Sequence, residues 1–236
     1  MFVKKLLFLL ALTAVAAFAD TFTITATDPN FGTVADHIFG DPLHYAIQDV
    51  TLQGPTNMVG PWTLTVDTNY AVPLPGSPEV IPGFVDGVNL FMGDFLVQQG
   101  SNFFGVVLHA HDGYTAGDLY QAAGFQNSVF YNPGKPVSLD GGGTLIGQGT
   151  VSAAANPGCN GVNCAEFKVT DVFNLNALGT FIDPNSPLMF SMASATCANG
   201  LLNGDDAPVP EPGSVALLGT VGILFGFVLW RRKTAA

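Results

Sequence analysis

The stretch TFTITAT, residues 21–27, alternates threonine with larger apolar or small residues along its whole length. Because successive side chains of a β-strand point to opposite faces, this alternation predicts a strand that buries one face. Aromatic and β-branched residues suit such a strand. Five further runs carry related patterns: WTLTV (62–66), NLFMGDFLV (89–97), FFGVVLHAH (103–111), EFKVT (166–170) and LMFSMAS (188–194).

The segments between these runs contain turn-forming sequences such as YNPGKP, LDGGGT and DPNSP. Asn, Asp, Gly and Pro favour turns, and no amphipathic helix of ten or more residues interrupts the pattern before residue 213. A parallel α/β fold is disfavoured because its crossover helices are missing. We therefore predict an all-β domain over residues 20–200, an antiparallel β-sandwich of two sheets, with a barrel as the alternative.

The first twenty residues, MFVKKLLFLLALTAVAAFAD, have the three parts of a secretory signal peptide. Two lysines precede an apolar run over residues 6–18, and an A-x-A pattern ends at Ala19. Such a run is shorter than the roughly 20 residues that a membrane-spanning helix needs. We predict a signal peptide over residues 1–19, cleaved by signal peptidase before Asp20; an uncut anchor is the alternative.

Residues 213–230 carry no charge and are followed directly by a basic cluster. Eighteen residues make about 27 Å of helix, which is enough to cross a thin bilayer. Basic residues beside a span stay on the cytoplasmic side. The pattern predicts a linker over residues 201–212, a transmembrane helix over 213–230 and a cytoplasmic tail over 231–236, with a buried core helix as the alternative. The basic cluster consists of Arg231, Arg232 and Lys233.

The segment between the two terminal signals is strongly acidic. Residues 20–209 hold two lysines against seventeen Asp and Glu residues, which gives a net charge of −15. Such a surface repels phosphate groups, so nucleic acid is excluded as a partner. Acidity also keeps an exported protein soluble.

Pro210, Glu211 and Pro212, followed by the apolar segment and the terminal basic cluster, resemble the PEP-CTERM sorting signal. The two prolines hold Glu211 on an extended stretch at the membrane edge. The resemblance implies processing by exosortase, a membrane-embedded cysteine protease, and association with exopolysaccharide or biofilm. It implies a precursor anchored in the inner membrane that later becomes periplasmic, surface-bound or extracellular. An ordinary single-span anchor is the alternative.

Three cysteines lie in the exported part, where oxidation is permitted. Cys159 and Cys164 flank a Gly- and Asn-rich turn, so we predict a small-loop disulfide between them. Cys197 is then left over, and its pairing with either of the other two is the alternative.

Two kinds of metal site fit parts of the sequence. His109 and His111 lie two residues apart, so on a strand they would face the same side and could share zinc, with His37, His44 or Asp112 as a third ligand. Carboxylates beside glycines could bind calcium, although no EF-hand loop occurs. We predict no cofactor and keep calcium as the alternative. The calcium candidates are Asp94, Asp112, Asp118, Asp140, Asp205 and Asp206.

No nucleophile elbow or catalytic cysteine signature occurs in the sequence. We therefore predict a non-catalytic surface or matrix protein, with a secreted carbohydrate-active enzyme as the alternative. Exposed aromatic residues on a shallow face would favour binding, and two carboxylates facing each other in a cleft would favour hydrolysis. The aromatic candidates are Trp62, Tyr114, Tyr120 and Tyr131. Ice binding has weaker support, because short Thr-x-Thr pieces occur without a repeated threonine array in the sequence.

Overall fold

A computed structural model of the chain describes residues 21–28, 31, 46–70, 79–80, 89–128, 134–159, 164–176, 181–183, 186–193 and 201–205. Every regular element in this part of the chain is a β-strand. The strands are β1 (Thr21–Thr27), β2 (Ile47–Pro55), β3 (Pro61–Thr68), β4 (Glu79–Val80), β5 (Asn89–Leu90), β6 (Phe95–Gln99), β7 (Asn102–Val106), β8 (Leu119–Ala122), β9 (Phe125–Asn127), β10 (Pro136–Leu139), β11 (Thr144–Ala155), β12 (Phe167–Leu175), β13 (Met189–Ala193) and β14 (Leu201–Asp205).

Ten of these strands form one antiparallel sheet in the order β1-β2-β3-β12-β11-β8-β7-β6-β13-β14. Its two edges, β1 and β14, come into contact, so the sheet is nearly closed and barrel-like. The all-β antiparallel class is confirmed, but the predicted division into two sheets is not how the strands pair. Hydrogen-bonded pairing of β3 with β12 and of β6 with β13 makes the sheet continuous.

The main core fills the inside of this sheet. Strand β3 shows the reason, because Trp62, Leu64 and Val66 are fully buried while the residues between them are partly exposed. Period-2 alternation directs one set of side chains inward along the strand. Trp62 packs against Phe22 of β1 and Phe173 of β12, with ring centroids 5.9 and 6.4 Å away.

Part of the sheet is also covered on its outer side. Strands β9 and β10 form a separate two-stranded sheet, and β10 contacts β6, β7 and β13. A second apolar cluster lies there, formed by Leu96, Val107, Tyr114, Tyr120 and Leu139. Along β3 and β12, in contrast, the residues on the outer side are partly or fully exposed. The sheet therefore has one covered and one open outer region.

Several strand boundaries differ from the sequence predictions. Strand β7 ends at Val106, although the apolar pattern continues to residue 111, and residues 91–94 separate β5 from β6. Leu201–Asp205, assigned above to the linker, form β14 and pair with β13. Their backbone groups are satisfied by this pairing, so the folded body extends to Asp205. The sequence did not predict this last strand, because Asn, Gly and Asp near residue 203 are typical of turns.

Four predicted segments lie outside the described residues: the signal peptide, residues 206–212 of the linker, the transmembrane segment and the basic tail. Within the described ranges, no helix is long and apolar enough to cross a membrane.

Candidate functional site

The loop that follows β7 carries the densest group of polar side chains. His111 Nε2 lies 2.9 Å from Oδ2 of Asp94, and His111 Nδ1 lies 3.2 Å from Oδ2 of Asp112. Asp94 immediately precedes β6, and its Oδ2 also accepts a hydrogen bond from the Leu139 N–H at 2.9 Å. This cluster therefore links the β7–β8 loop, β6 and the β9–β10 hairpin.

Burial controls the electrostatics of this cluster. Burial raises the pKa of Asp94, although hydrogen bonding and charge from His111 and the Leu139 N–H act in the opposite direction. Burial alone would lower the pKa of His111, but Asp94, with a contribution from Asp112, raises it above its ordinary value. When His111 is protonated, its attraction to the two neighbouring carboxyl groups stabilises the loop.

His109 and His111, considered above as ligands of a shared metal, have different neighbours in the structure. The strand ends before both residues, and the His109 ring stacks on Phe91 with centroids 3.9 Å apart. Both ring nitrogens of His111 already face carboxylates. Burial lowers the pKa of His109, and the charge of His111 lowers it further. No group of three potential metal ligands occurs among the described residues, and His37 and His44 lie outside them.

The carboxylates considered above as calcium ligands are dispersed among the described residues. Asp118 Oδ1 accepts a hydrogen bond from the Gly149 N–H at 3.2 Å, and Asp140 Oδ1 accepts one from the Gly141 N–H at 2.9 Å. Asp94 and Asp112 are engaged with His111 instead. Asp206 lies outside the described residues, and the side chain of Asp205 is not described. Loop aspartates in the described part thus serve turns and strand ends.

A buried carboxylate that sequence reasoning missed lies on the inner side of β12. Asp171 is fully buried, and neither of its carboxylate oxygens makes a hydrogen bond of good geometry, although the backbone N–H groups of Thr150 and Val172 lie near them. Burial and, second, the charge of Asp118 raise the pKa of Asp171 to about 7. Its position between Thr170 and Val172 in an alternating strand was the signal, because that register places the carboxyl group inside.

The aromatic residues considered for a binding face do not form one. Trp62 is fully buried, and Tyr114 and Tyr120 are buried under the β9–β10 hairpin, with their ring centroids 4.6 Å apart. Tyr114 Oη donates to the Asp140 carbonyl and accepts a hydrogen bond from the Gly143 N–H at 2.8 Å. These three rings therefore serve the core, and Tyr131 lies outside the described residues.

The structure joins Cys159 and Cys164 in a disulfide, with their Cα atoms 5.7 Å apart. The bridge closes the turn between β11 and β12, next to the hydrogen bond from the Asn156 N–H to the Glu166 carbonyl at 2.7 Å. Cys197 lies outside the described residues.

The open outer region of the sheet presents an ordered set of hydroxyl groups, which we term the hydroxyl face. The strand register aligns one row across β1, β2, β3, β12 and β11, and a second row beside it is also uncharged. The first row is Thr25, Thr51, Thr65, Thr170 and Ser152, and the second is Thr23, Gln53, Thr63, Val172 and Thr150.

Neighbouring hydroxyls on this face follow the strand spacing of about 4.8 Å, and rows lie about 6.7 Å apart along the strands. Thr25 Oγ1 and Thr51 Oγ1 approach to 3.4 Å. No threonine array is visible in the sequence, because the threonines are scattered along the chain and only the pairing of distant strands brings them together. Charges begin in the next row, where Lys168 Nζ lies 3.6 Å from Oδ1 of Asp67.

The predicted sorting residues Pro210, Glu211 and Pro212 and the basic cluster lie outside the described residues. Residues 208–233 match the family model of the PEP-CTERM protein-sorting motif. No curated protein and no solved structure matches the chain significantly. The match covers the three-part pattern quoted above and confirms that the chain carries this sorting motif, which implies an exported protein sorted by exosortase.

Proposed function

We propose that this exported, exosortase-sorted chain is a non-catalytic component of the cell surface or extracellular matrix, associated with exopolysaccharide or biofilm. The sorting motif at residues 208–233 is the observation that carries the proposal. Signal peptidase removes residues 1–19, the segment 213–230 anchors the precursor, and exosortase releases the body from that anchor. A compact, acidic, sheet-rich body suits a protein that works outside the membrane.

The buried or hydrogen-bonded state of the carboxylates described above supports a non-catalytic body. A hydrolase acting on carbohydrate needs two carboxylates that face its substrate. Asp118 and Asp171 influence each other electrostatically, but both are buried. Asp94 and His111 hold the β7–β8 loop to its neighbours. The alternative, a secreted carbohydrate-active enzyme, is therefore the weaker proposal.

The hydroxyl face is the surface that we propose for contact with polysaccharide. Its two rows are uncharged on a body of net charge −15, so an uncharged or weakly anionic polymer can approach there with least repulsion. Regularly spaced hydroxyl groups can form hydrogen bonds with successive sugar units of the polymer. Each hydrogen bond is weak, but many of them along one chain add up. Ice ranks second as a partner, because the outer side of a nearly closed sheet is convex whereas an ice surface is flat.

Processing of the motif gives the first test. In cells with exosortase, the released chain should begin at Asp20 and lack the residues from the span onward. Replacing Pro210, Glu211 and Pro212 with alanine should abolish most of this release, because the extended site for the protease is lost. Intact-mass measurement of the membrane and released fractions checks both expectations.

Two matched strains complete this test. Deleting exosortase should leave the full-length precursor in the membrane fraction, and replacing Arg231, Arg232 and Lys233 with glutamine should impair retention and processing. A full-length membrane product that is the same with and without exosortase would contradict the proposal and favour an ordinary anchor.

Polysaccharide binding gives the second test. Changing Thr51, Thr65 and Thr170 together to valine keeps β-branched residues on the strands but removes three hydroxyls. Binding of the released protein to purified exopolysaccharide from the same cells should weaken roughly tenfold or more, since each lost hydrogen bond contributes about 0.5–1.5 kcal/mol. Co-sedimentation measures the change.

The control for this variant carries Thr115→Val and Thr144→Val, two exposed hydroxyls outside the hydroxyl face. It should bind like the unchanged protein. Equal binding by all three proteins, with unaltered melting temperatures, would remove the hydroxyl face as the contact surface while leaving the sorting route intact.

A further inference from the structure

Both ends of the folded body lie at one end of the sheet. Thr21, the first residue of β1, pairs with Pro55 at the end of β2, and Asp205, the last residue of β14, pairs with Met189 at the start of β13. Antiparallel pairing across the intervening strands places these residues on the same side of the sheet. We term this side the exit end; it also contains the β2–β3 turn (56–60) and the β6–β7 turn (100–101).

The chain leaves the exit end very close to the predicted membrane span. Seven residues, 206–212, separate Asp205 from Gly213, where the uncharged segment begins, so eight Cα–Cα steps join the two. Fully extended, they reach at most about 28 Å. A tether this short keeps the exit end at a high effective concentration beside the lipid, so contacts that are weak on their own become populated.

Exposed apolar side chains gather toward this same end. Val59, in the β2–β3 turn, is 76% exposed, and Met189 is 48% exposed. Val172 is 43% exposed and lies two residues from Asn174, which pairs with Pro61 beside that turn. These are the exposed large hydrophobic residues of the described chain. Apolar side chains of this kind bind to the boundary between headgroups and acyl chains.

Acidic side chains are concentrated at the opposite end of the strands. The exit end carries Asp140, in the turn that leads into β11, together with Asp183 and Asp205. Asp183 is placed there because its backbone hydrogen-bonds to Gln99 near the β6–β7 turn. Anionic headgroups repel the more acidic end more strongly over the range of a Debye length. At or beyond the opposite strand ends lie Asp28, Asp49, Asp67, Asp94, Asp112, Asp118 and Glu166, of which Asp94 and Asp118 are buried. Lys168 also lies there, beside Asp67.

We infer that, before exosortase cuts the chain, the body rests with its exit end on the lipid headgroups, and that Val59 and Met189 contact the bilayer. This inference rests on the proposed function, since it requires residues 213–230 to anchor the precursor. The contact holds the segment containing Glu211 at the level of the membrane surface, where a membrane-embedded protease works.

Photo-cross-linking of the full chain tests this orientation. Benzoylphenylalanine is placed at Val59, at Met189 or at Ala154, an exposed control position near the opposite end that pairs with Lys168. Cells lacking exosortase keep the precursor whole. After irradiation, lipid adducts at Val59 and Met189 should exceed those at Ala154 roughly tenfold, because the tether concentrates the exit end at the lipid. Mass spectrometry identifies the adducts.

The outcomes separate the two proposals. A chain that floats with membranes but gives equal lipid adducts at the three positions would overturn the orientation alone. Adducts at Val59 and Met189 to a protein instead of lipid would also overturn it and identify a protein contact. A chain that fails to float with membranes would overturn the anchored precursor of the proposed function, and the orientation with it.

Discussion

Replacing Asp171 with asparagine should raise the free energy of unfolding at pH 8 by about 2 kcal/mol and flatten its dependence on pH between 4 and 7. Asp171 has a pKa of about 7 in the folded chain, against an ordinary value of 3.8. The folded state therefore holds a proton that the unfolded state has already lost. Below pH 4 Asp171 is protonated in both states and does not lower the free energy of unfolding. As the pH rises from 4 to about 7, the free energy of unfolding falls, because only the unfolded state releases the proton readily.

The full difference in pKa corresponds to on the order of 4 kcal/mol between these limits. The gain expected for asparagine is smaller, because burying the polar amide in the same site also costs free energy where its hydrogen bonds are poor. Urea denaturation at pH 4, 5.5, 7 and 8 measures both the gain and the slope.

Two further variants make this measurement specific. Glu166→Gln, immediately before the same strand, should leave the slope in place. Asp118→Asn removes the charge that contributes to the raised pKa of Asp171, so the loss of stability should end at a lower pH. A variant with asparagine at Asp171 that keeps the full slope would show that another group produces it.

The change Gly54→Ala should destabilise the body by about 3 kcal/mol, which is at the upper end for overpacking. A Cβ atom on Gly54 would stand 2.1 Å from Cδ2 of Trp62 and 2.4 Å from its Cε3. The indole has no room to withdraw, because it is fully buried and its ring centroid lies 5.2 Å from that of Phe181. Chemical denaturation followed by Trp fluorescence measures the loss.

Gly124→Ala is the matched control, because nothing lies within 4 Å of the added Cβ and the backbone there is not in the left-handed region. It should change stability by less than about 0.5 kcal/mol. In the double variant with Trp62→Phe, the smaller ring should relieve part of the clash, giving an interaction energy of about 1–2 kcal/mol. Additive losses in the double variant would show that the indole does not fill the space above Gly54.

Local patterns in the sequence identified strands but not their neighbours. TFTITAT corresponds residue for residue to β1, because its alternation is complete within seven residues. The pairing of β3 with β12 joins segments far apart in sequence, and no local pattern specifies it. For this reason the class was predictable, whereas the single ten-stranded sheet and the hydroxyl face were not.

The burial of the aromatic residues was likewise predictable from the sequence in one case and not in the others. Trp62 precedes Leu64 and Val66 at spacings of two and four, so its register within the run already placed it on the apolar side. Tyr114 and Tyr120 are buried by the β9–β10 hairpin, which packs there from another part of the chain. The sorting motif was readable in full because it is a linear signal whose recognition depends on adjacent residues.

The order in which strands leave the export channel limits when this sheet can assemble. Thr65 of β3 leaves the channel early, but its partner Thr170 lies on β12 and leaves much later. Likewise, β6 can pair with β13 only when the end of the body has emerged. Pairings between such distant segments form slowly. The ten-stranded sheet therefore becomes complete only after its final hairpin, β13–β14, has crossed the membrane. Once folded, the sheet is too wide to pass back through the channel.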